Sequence, residues 1–187
     1  MALDDYPLRT PVQTCDPLFG AEVRRKRPGI DAFRTLVLEE FKGTDQGVGR
    51  QCITGNATSA HHESRAWDWG PTKGEPVAQW RQRATALLAQ LLADGPEGAH
   101  ELVRRFGIRN IIFNREIFSA GKLYEPAPYD GPNDHTTHVH FDWAWPGALG
   151  ETSGYELGGG VPAVVFPFVA TGAILLAMYL SKRRIPK

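Results

Sequence analysis

The sequence contains few cysteines, no excess of charge of either sign and no recognisable export signal at its start. Its 187 residues include two cysteines, Cys15 and Cys52. Their spacing does not match the closely spaced cysteine pairs that bind structural zinc. The two could form a disulfide in an oxidising compartment, and otherwise they are free thiols. Both interpretations stay open, because a disulfide requires that the two residues lie close in space.

The charge balance argues against one class of partner. Lysine and arginine together number 21, and so do aspartate and glutamate, so the formal net charge at pH 7 is zero. Domains that bind nucleic acid usually carry a strong basic excess. We therefore expect no nucleic-acid partner for this chain.

The two ends of the chain differ in composition. Residues 1–13 have neither the basic nor the apolar part of a signal peptide. Residues 161–180 carry no charge, and a helix of this length, rising about 1.5 Å per residue, would span roughly 30 Å of bilayer. The basic tail at residues 181–187 favours a cytoplasmic C-terminus. We expect a transmembrane helix at residues 161–180, preceded by a Gly-rich linker at residues 147–160, with the folded domain on the envelope side. A buried core helix is the alternative.

Histidine is concentrated in two short segments. Five of the six histidines lie within residues 59–69 or 134–142, and both segments also contain aspartate. Imidazole and carboxylate groups are common zinc ligands, and three of them with one open position are typical of a catalytic site. His61 and Asp68 are too far apart for one helical turn, so a strand, a tight turn and a return strand would bring them together. The pattern predicts a metal site.

The second segment has the alternation of a half-buried strand. His138 and His140 are separated by one residue, so in a strand both side chains lie on the same face. Val139 and Phe141 then point to the opposite face and into the core. We expect one histidine of the pair to bind the metal while the other faces the same cavity.

Both segments resemble the motifs of a known family. Residues 59–68 read Ser-x-His-x-x-Ser-x-Ala-x-Asp and resemble the Ser-x-His-x-x-Gly-x-Ala-x-Asp signature of the zinc D-alanyl-D-alanine carboxypeptidases. Residues 138–140, His-Val-His, resemble the second motif of one branch of that family. The resemblance covers roughly residues 28–145. Ser64 stands where the family usually has glycine, and Thr137 stands where its dipeptidase branch has a catalytic glutamate.

The resemblance implies roles for individual residues. The implied zinc ligands are His61, Asp68 and His140. His138 would stabilise the tetrahedral intermediate or transfer a proton. Arg50 would hold a substrate carboxylate or the developing oxyanion with its guanidinium fork, and a surface salt bridge is the alternative. Asp134 and His135 are further candidates for the base, although Asp134 or Asp142 could instead orient a ligand histidine.

The function implied by the resemblance is a zinc-dependent peptidase that hydrolyses an amide bond in peptidoglycan stem peptides. It would act as a carboxypeptidase or an endopeptidase through a metal-activated water, with peptidoglycan as its substrate and the membrane as its anchor. The alternative is a non-catalytic, zinc-stabilised module that binds cell wall or protein. Thr137 favours this alternative, whereas His138 favours the enzyme.

The order of helical and strand patterns predicts an α+β fold with a small, mainly antiparallel sheet and packed helices. The resemblance implies the same fold, which the DD-peptidases share with the hedgehog signalling domain. We expect an N-terminal arm at residues 1–27 and a catalytic domain at residues 28–146. Helical patterns cover residues 28–42, 75–93 and 97–106, and strand patterns cover residues 46–56, 66–69, 108–113 and 117–119.

Overall fold

The structure is a computed structural model that describes residues 5–7, 27–50 and 59–155. Within these ranges the chain forms four α-helices and six β-strands. The helices are α1 (Pro28–Phe41), α2 (Val77–Leu91), α3 (Glu101–Arg105) and α4 (Trp145–Leu149). The strands are β1 (Thr44–Asp45), β2 (Ala66–Gly70), β3 (Ile108–Phe113), β4 (Glu116–Ser119), β5 (Pro126–Pro128) and β6 (Val139–Trp143).

All six strands belong to one sheet in the order β1-β2-β6-β3-β4-β5, and every neighbouring pair is antiparallel. The predicted α+β class with an antiparallel sheet is therefore confirmed. No helix among the described residues is long and apolar enough to cross a membrane. The predicted transmembrane helix at residues 161–180, the tail at residues 181–187 and both cysteines lie outside the described residues.

Helix α1 matches the helical pattern of residues 28–42. Pro28 is favourable in the first helical turn because its nitrogen has no hydrogen to leave unpaired there. The helix ends where Lys42 and Gly43 take positive φ angles. Its buried side contains Phe33, whose ring contacts four aromatic rings edge-on. These rings belong to Trp67, Phe106, Phe141 and Trp143. Such edge contacts are favourable beyond the area that they bury.

The two central strands divide their residues between a core face and a polar face. Val139 and Phe141 of β6 belong to the hydrophobic core and have no solvent exposure, as the alternation predicted. In β2 the ring of Trp67 stacks on Phe141, with centroids 5.8 Å apart. The residues between these apolar positions lie on the opposite face of the pleat. That face carries Asp68 on β2 and His140 and Asp142 on β6.

The β3–β4 hairpin helps to position the second histidine segment. Its two turn residues, Asn114 and Arg115, both have positive φ angles, as a tight hairpin requires. Their backbone N–H groups donate to the carbonyl oxygens of His135 and Asp134, at 2.8 and 2.9 Å. The turn therefore fixes the backbone that leads into β6.

The folded domain extends beyond residue 146, where the linker was expected to begin. Helix α4 packs against α1, and a Cβ added to Gly147 would lie 2.6 Å from the carbonyl oxygen of Phe106. Ala148 is fully buried, and the ring of Tyr155 packs against that of Phe106. The prediction of a linker starting at residue 147 is therefore wrong up to residue 155, because this segment closes the core.

Two other local predictions need correction. The helix predicted at residues 97–106 is limited to Glu101–Arg105, because His100 has a left-handed backbone with a φ of 52°. Residues 46–50, the described part of the strand pattern at residues 46–56, form no strand, and the short strand β1 precedes them at Thr44–Asp45; residues 51–56 lie outside the described part.

Candidate metal centre

His61 is positioned by a 3₁₀ turn (Ala60–Glu63), not by the strand that its spacing suggested. The Ser59 hydroxyl accepts a hydrogen bond from the backbone N–H of His61, at 3.3 Å. The turn ends at Ser64, which has a left-handed backbone with a φ of 53°. Glycine adopts this conformation without steric cost, so a glycine would be favourable at this position. The chain then enters β2.

Asp68 and His140 face each other across paired strands. They are direct partners in the antiparallel register of β2 and β6. The Oδ1 atom of Asp68 lies 2.9 Å from Nδ1 of His140. Sheet pairing therefore joins the two histidine segments, and the 3₁₀ turn adds His61 from the side.

Three side-chain atoms form a compact triangle. Nε2 of His61 lies 3.2 Å from both Oδ1 of Asp68 and Nδ1 of His140. Around a tetrahedral zinc with ligands at about 2.0–2.1 Å, neighbouring ligand atoms are about 3.3–3.4 Å apart. The three residues are buried, and together they can bind a metal ion. The predicted grouping of His61, Asp68 and His140 is thus present.

The outer nitrogens of both histidines in the triangle face acceptor groups. Nδ1 of His61 is 2.9 Å from the carbonyl oxygen of Val48, which leaves the lone pair of Nε2 for a metal. Nε2 of His140 faces Oδ2 of Asp142 at 3.8 Å. Acceptors in these positions orient the imidazole rings of metal sites.

The charges within the triangle suit a cation. Burial by itself would raise the pKa of Asp68, but the hydrogen bonds and charges of His140 and His61 hold it well below its usual range. Burial would lower the pKa of His140, but the carboxylates of Asp142 and Asp68 outweigh it and raise that pKa to about 9. The metal-free centre therefore holds a proton where a metal ion would bind.

His138 lies beside the triangle without belonging to it. Its Nε2 is 3.8 Å from Oδ1 of Asp68 and, among the described residues, has no hydrogen-bond partner although it is buried. Its Nδ1 lies 3.3 Å from the Thr137 hydroxyl. Burial is the main reason why the pKa of His138 is lowered. A neutral imidazole next to the cluster can accept a proton.

His135 approaches the cluster more closely than the sequence indicated. Its ring centroid lies 4.8 Å from that of His138 and 5.5 Å from that of His140. It is buried, and its backbone has a positive φ of 49°. Burial, together with the charges of His140 and His138, lowers its pKa to about 4. Non-glycine residues with a left-handed backbone, such as His135, are uncommon and cluster at functional sites.

Asp134, by contrast, forms a surface ion pair. Its carboxylate lies 2.5 Å from the guanidinium of Arg115, and both side chains are more than half exposed, at 53% and 70%. Of the two remaining base candidates, the structure therefore brings His135 to the cluster and pairs Asp134 with Arg115.

Arg50 reaches the cluster from the solvent side. Its guanidinium donates to Oδ2 of Asp68 at 2.5 Å, while 56% of its side chain remains exposed. It therefore contacts the carboxylate oxygen that the triangle does not use. His62, next to His61, is not part of the triangle.

The sequence reasoning did not single out Arg109 and Asn110. Both donate hydrogen bonds to Asp142 from the adjacent strand β3. Two polar residues within the otherwise apolar strand Ile108–Phe113 were the signal that could have identified them.

Comparison of the chain with protein-family models, curated proteins and solved structures finds no significant match.

Proposed function

We propose that this protein is a zinc-dependent hydrolase that cleaves an amide bond in peptidoglycan stem peptides. The observation that carries the proposal is the buried triangle of His61, Asp68 and His140. Next to it, Nε2 of His138 is buried and has no hydrogen-bond partner within the described part of the chain. Three protein ligands leave one position of a tetrahedral ion open, which is the arrangement of catalytic zinc sites.

Zinc is the ion that suits the donor set best. Two imidazole nitrogens and one carboxylate oxygen are borderline donors, whereas magnesium and calcium prefer sites made entirely of oxygen atoms. When bound, zinc supplies Lewis acidity to a water molecule and to the scissile carbonyl group. The remaining steps belong to the residues around it.

His138 and His135 would handle protons. Both have lowered pKa values, mainly because of burial, so both are neutral at pH 7. His138 lies closer to Asp68 and is our candidate for the base that accepts the proton of the attacking water. The proton that His138 accepts from the water would then pass to the leaving amine, and His135, one ring further along, would relay it. Arg50, exposed and adjacent to Asp68, would bind the substrate carboxylate or the oxyanion.

The substrate class rests on the resemblance of residues 59–68 and 138–140 to the D-alanyl-D-alanine carboxypeptidase motifs. A membrane anchor at residues 161–180 would hold the domain next to the cell wall, where stem peptides occur. Carboxypeptidase and endopeptidase action differ only in whether the cleaved residue is terminal. Arg50 would favour the former if it binds a free carboxylate.

A zinc-stabilised binding module is the second candidate. Among the described residues, the structure offers no clear catalytic carboxylate next to the proposed metal ligands, which favours this candidate. Thr137 stands where the dipeptidase branch has its glutamate, and Asp134 pairs with Arg115. Such a module would have the same metal affinity without turnover.

Incubation of the protein with purified peptidoglycan tests the choice. We expect soluble stem-peptide fragments, identified by mass spectrometry, that disappear with a chelator and return when zinc is added. One bound zinc without fragments from several wall types would support the binding module instead.

A further inference from the structure

The carboxylate of Asp142 is surrounded by hydrogen-bond donors. Nε of Arg109 donates to Oδ1 at 2.6 Å, and the side-chain amide of Asn110 donates to Oδ2 at 2.9 Å. The third neighbour is Nε2 of His140, 3.8 Å from Oδ2. This last distance is slightly longer than a hydrogen bond, so it is an electrostatic contact in the structure. Arg109 and Asp142 are both buried.

A β-bulge allows two consecutive residues to reach the same carboxylate. In a regular strand Arg109 and Asn110 would point to opposite faces of the sheet. The register between β3 and β6 shifts here, because Ile108 pairs with Trp143 and Asn110 pairs with Asp142. Two residues of β3 therefore correspond to one residue of β6, and Arg109 is the extra residue. Bulges redirect side chains in this way.

Only a carboxylate, which has acceptor atoms and no donor, can face all three of these neighbours. Arg109 and Asn110 contribute donors, and a histidine that binds metal through Nδ1 carries its proton on Nε2, which makes it a third donor. An asparagine at position 142 would place its NH₂ group against one of these donors. We propose that Asp142, held by Arg109 and Asn110, is a positioning residue that fixes the ring of His140 with Nδ1 directed at the metal. The proposal rests on the metal centre proposed above.

The main test compares the zinc dissociation constants of the intact protein and of Asp142→Asn, measured by competition with a chromophoric chelator. We expect zinc binding to weaken about 10- to 100-fold, the usual effect of losing the outer partner of a ligand histidine. Unchanged affinity in folded Asp142→Asn would overturn the proposal. Val103→Ala, in a fully buried position of α3, is the matched control: it removes core packing and should keep the parent affinity.

Asp142→Asn removes the buried negative charge to which Arg109 donates and could unfold the protein for that reason. The double variant Arg109→Gln/Asp142→Asn removes both charges. If Asp142 positions His140, zinc binding by this folded double variant stays at least about tenfold weaker than in the parent. If the pair serves the fold alone, the double variant regains the parent affinity, which would overturn the proposal.

A measurement on the unmodified protein does not depend on whether the variants fold. In the zinc-loaded protein, NMR should show a proton on Nε2 of His140 that exchanges slowly with water, because it is buried against Asp142. A rapidly exchanging Nε2 proton, or ligation through Nε2, would contradict the assignment. A parent protein that binds no zinc would overturn the metal centre and this proposal together, whereas zinc binding that is insensitive to both variants overturns only the latter.

Discussion

Nε2 of His61 and Nδ1 of His140 lie 3.2 Å apart although 79 residues separate them in the chain. A 3₁₀ turn places the first ring, and the register of β2 with β6 places the second. Asp68 contacts both atoms through a single oxygen. This convergence is the basis of the candidate metal centre.

His138→Ala should keep the metal and lose turnover. The side chain lies next to the triangle but is not one of its three members. Loss of a general base typically slows the chemical step by about 10² to 10⁴. Zinc content and the rate of peptidoglycan hydrolysis check this, with His62→Ala as the control because His62 neighbours a ligand without joining the triangle. A His138→Ala protein as fast as the parent would remove His138 from the mechanism.

His135→Gln and Asp134→Asn separate the two remaining candidates for proton transfer. His135 is buried next to His138, whereas Asp134 is half exposed and paired with Arg115. We expect His135→Gln to lower the hydrolysis rate by at least about tenfold. Asp134→Asn should leave the rate nearly unchanged and alter the free energy of unfolding by no more than about 1 kcal/mol, as for other exposed ion pairs. The reverse order of rates would assign the proton transfer to Asp134 and not to His135.

Zinc affinity should rise with pH up to about 9. The pKa of His140 is raised to about 9 in the metal-free protein, so below that pH zinc must displace a proton. One displaced proton makes the apparent affinity change about tenfold per pH unit. Competition titrations between pH 7 and pH 10 should show this slope levelling off near pH 9. A flat profile between pH 7 and pH 9 would mean that His140 is already neutral.

The stability of the metal-free protein should fall as the pH rises from 6.5 to 9.5. The pKa of His140 is raised to about 9 in the folded protein by the carboxylates of Asp142 and Asp68, whereas in the unfolded chain it lies near the usual 6.5 of histidine. The folded state therefore binds the proton more tightly, and this contribution is fully present below pH 6.5 and lost as the pH rises through 9. Urea unfolding of the metal-free protein should give a lower midpoint at pH 9.5 than at pH 6.5. Replacement of His140 by glutamine should remove this decrease.

A chain ending at residue 146 should be less stable than one ending at residue 155. The intervening segment contains α4 with the fully buried Ala148, and the Gly154 N–H donates to the Arg105 carbonyl oxygen at 2.9 Å. Tyr155 adds its ring to Phe106. The loss should be at least about 2 kcal/mol, roughly the value of one large buried apolar side chain. Equal urea midpoints for the two chains would show that the segment contributes nothing to the core.

The parts of the fold that the sequence predicted depend on local periodicity. The alternation of Val139 and Phe141 with His140 follows from the pleat of a strand, and the apolar spacing of α1 follows from the helical repeat. Both patterns can be read without knowing which other segment they contact. The same reasoning brought the two histidine segments together, because a shared metal requires it.

The features that the sequence did not predict depend on contacts between distant segments. The chain bends at His61 through a 3₁₀ turn that ends at the left-handed backbone of Ser64. A serine in the sequence does not indicate this backbone conformation. The pairing of Asp134 with Arg115 follows from the hairpin turn packing on residues 134–135. Arg109 reaches Asp142 only because of a bulge.

The zinc stoichiometry of the purified protein and of Asp68→Asn tests the central claim most directly. Asp68 contacts both histidines, and its replacement by asparagine keeps the size of the side chain while removing the charge. We predict one zinc per chain in the parent and none in Asp68→Asn after dialysis against a weak chelator, with both proteins folded by circular dichroism. A parent without zinc, or an Asp68→Asn protein that retains one zinc per chain, would contradict the assignment of His61, Asp68 and His140 as the metal centre.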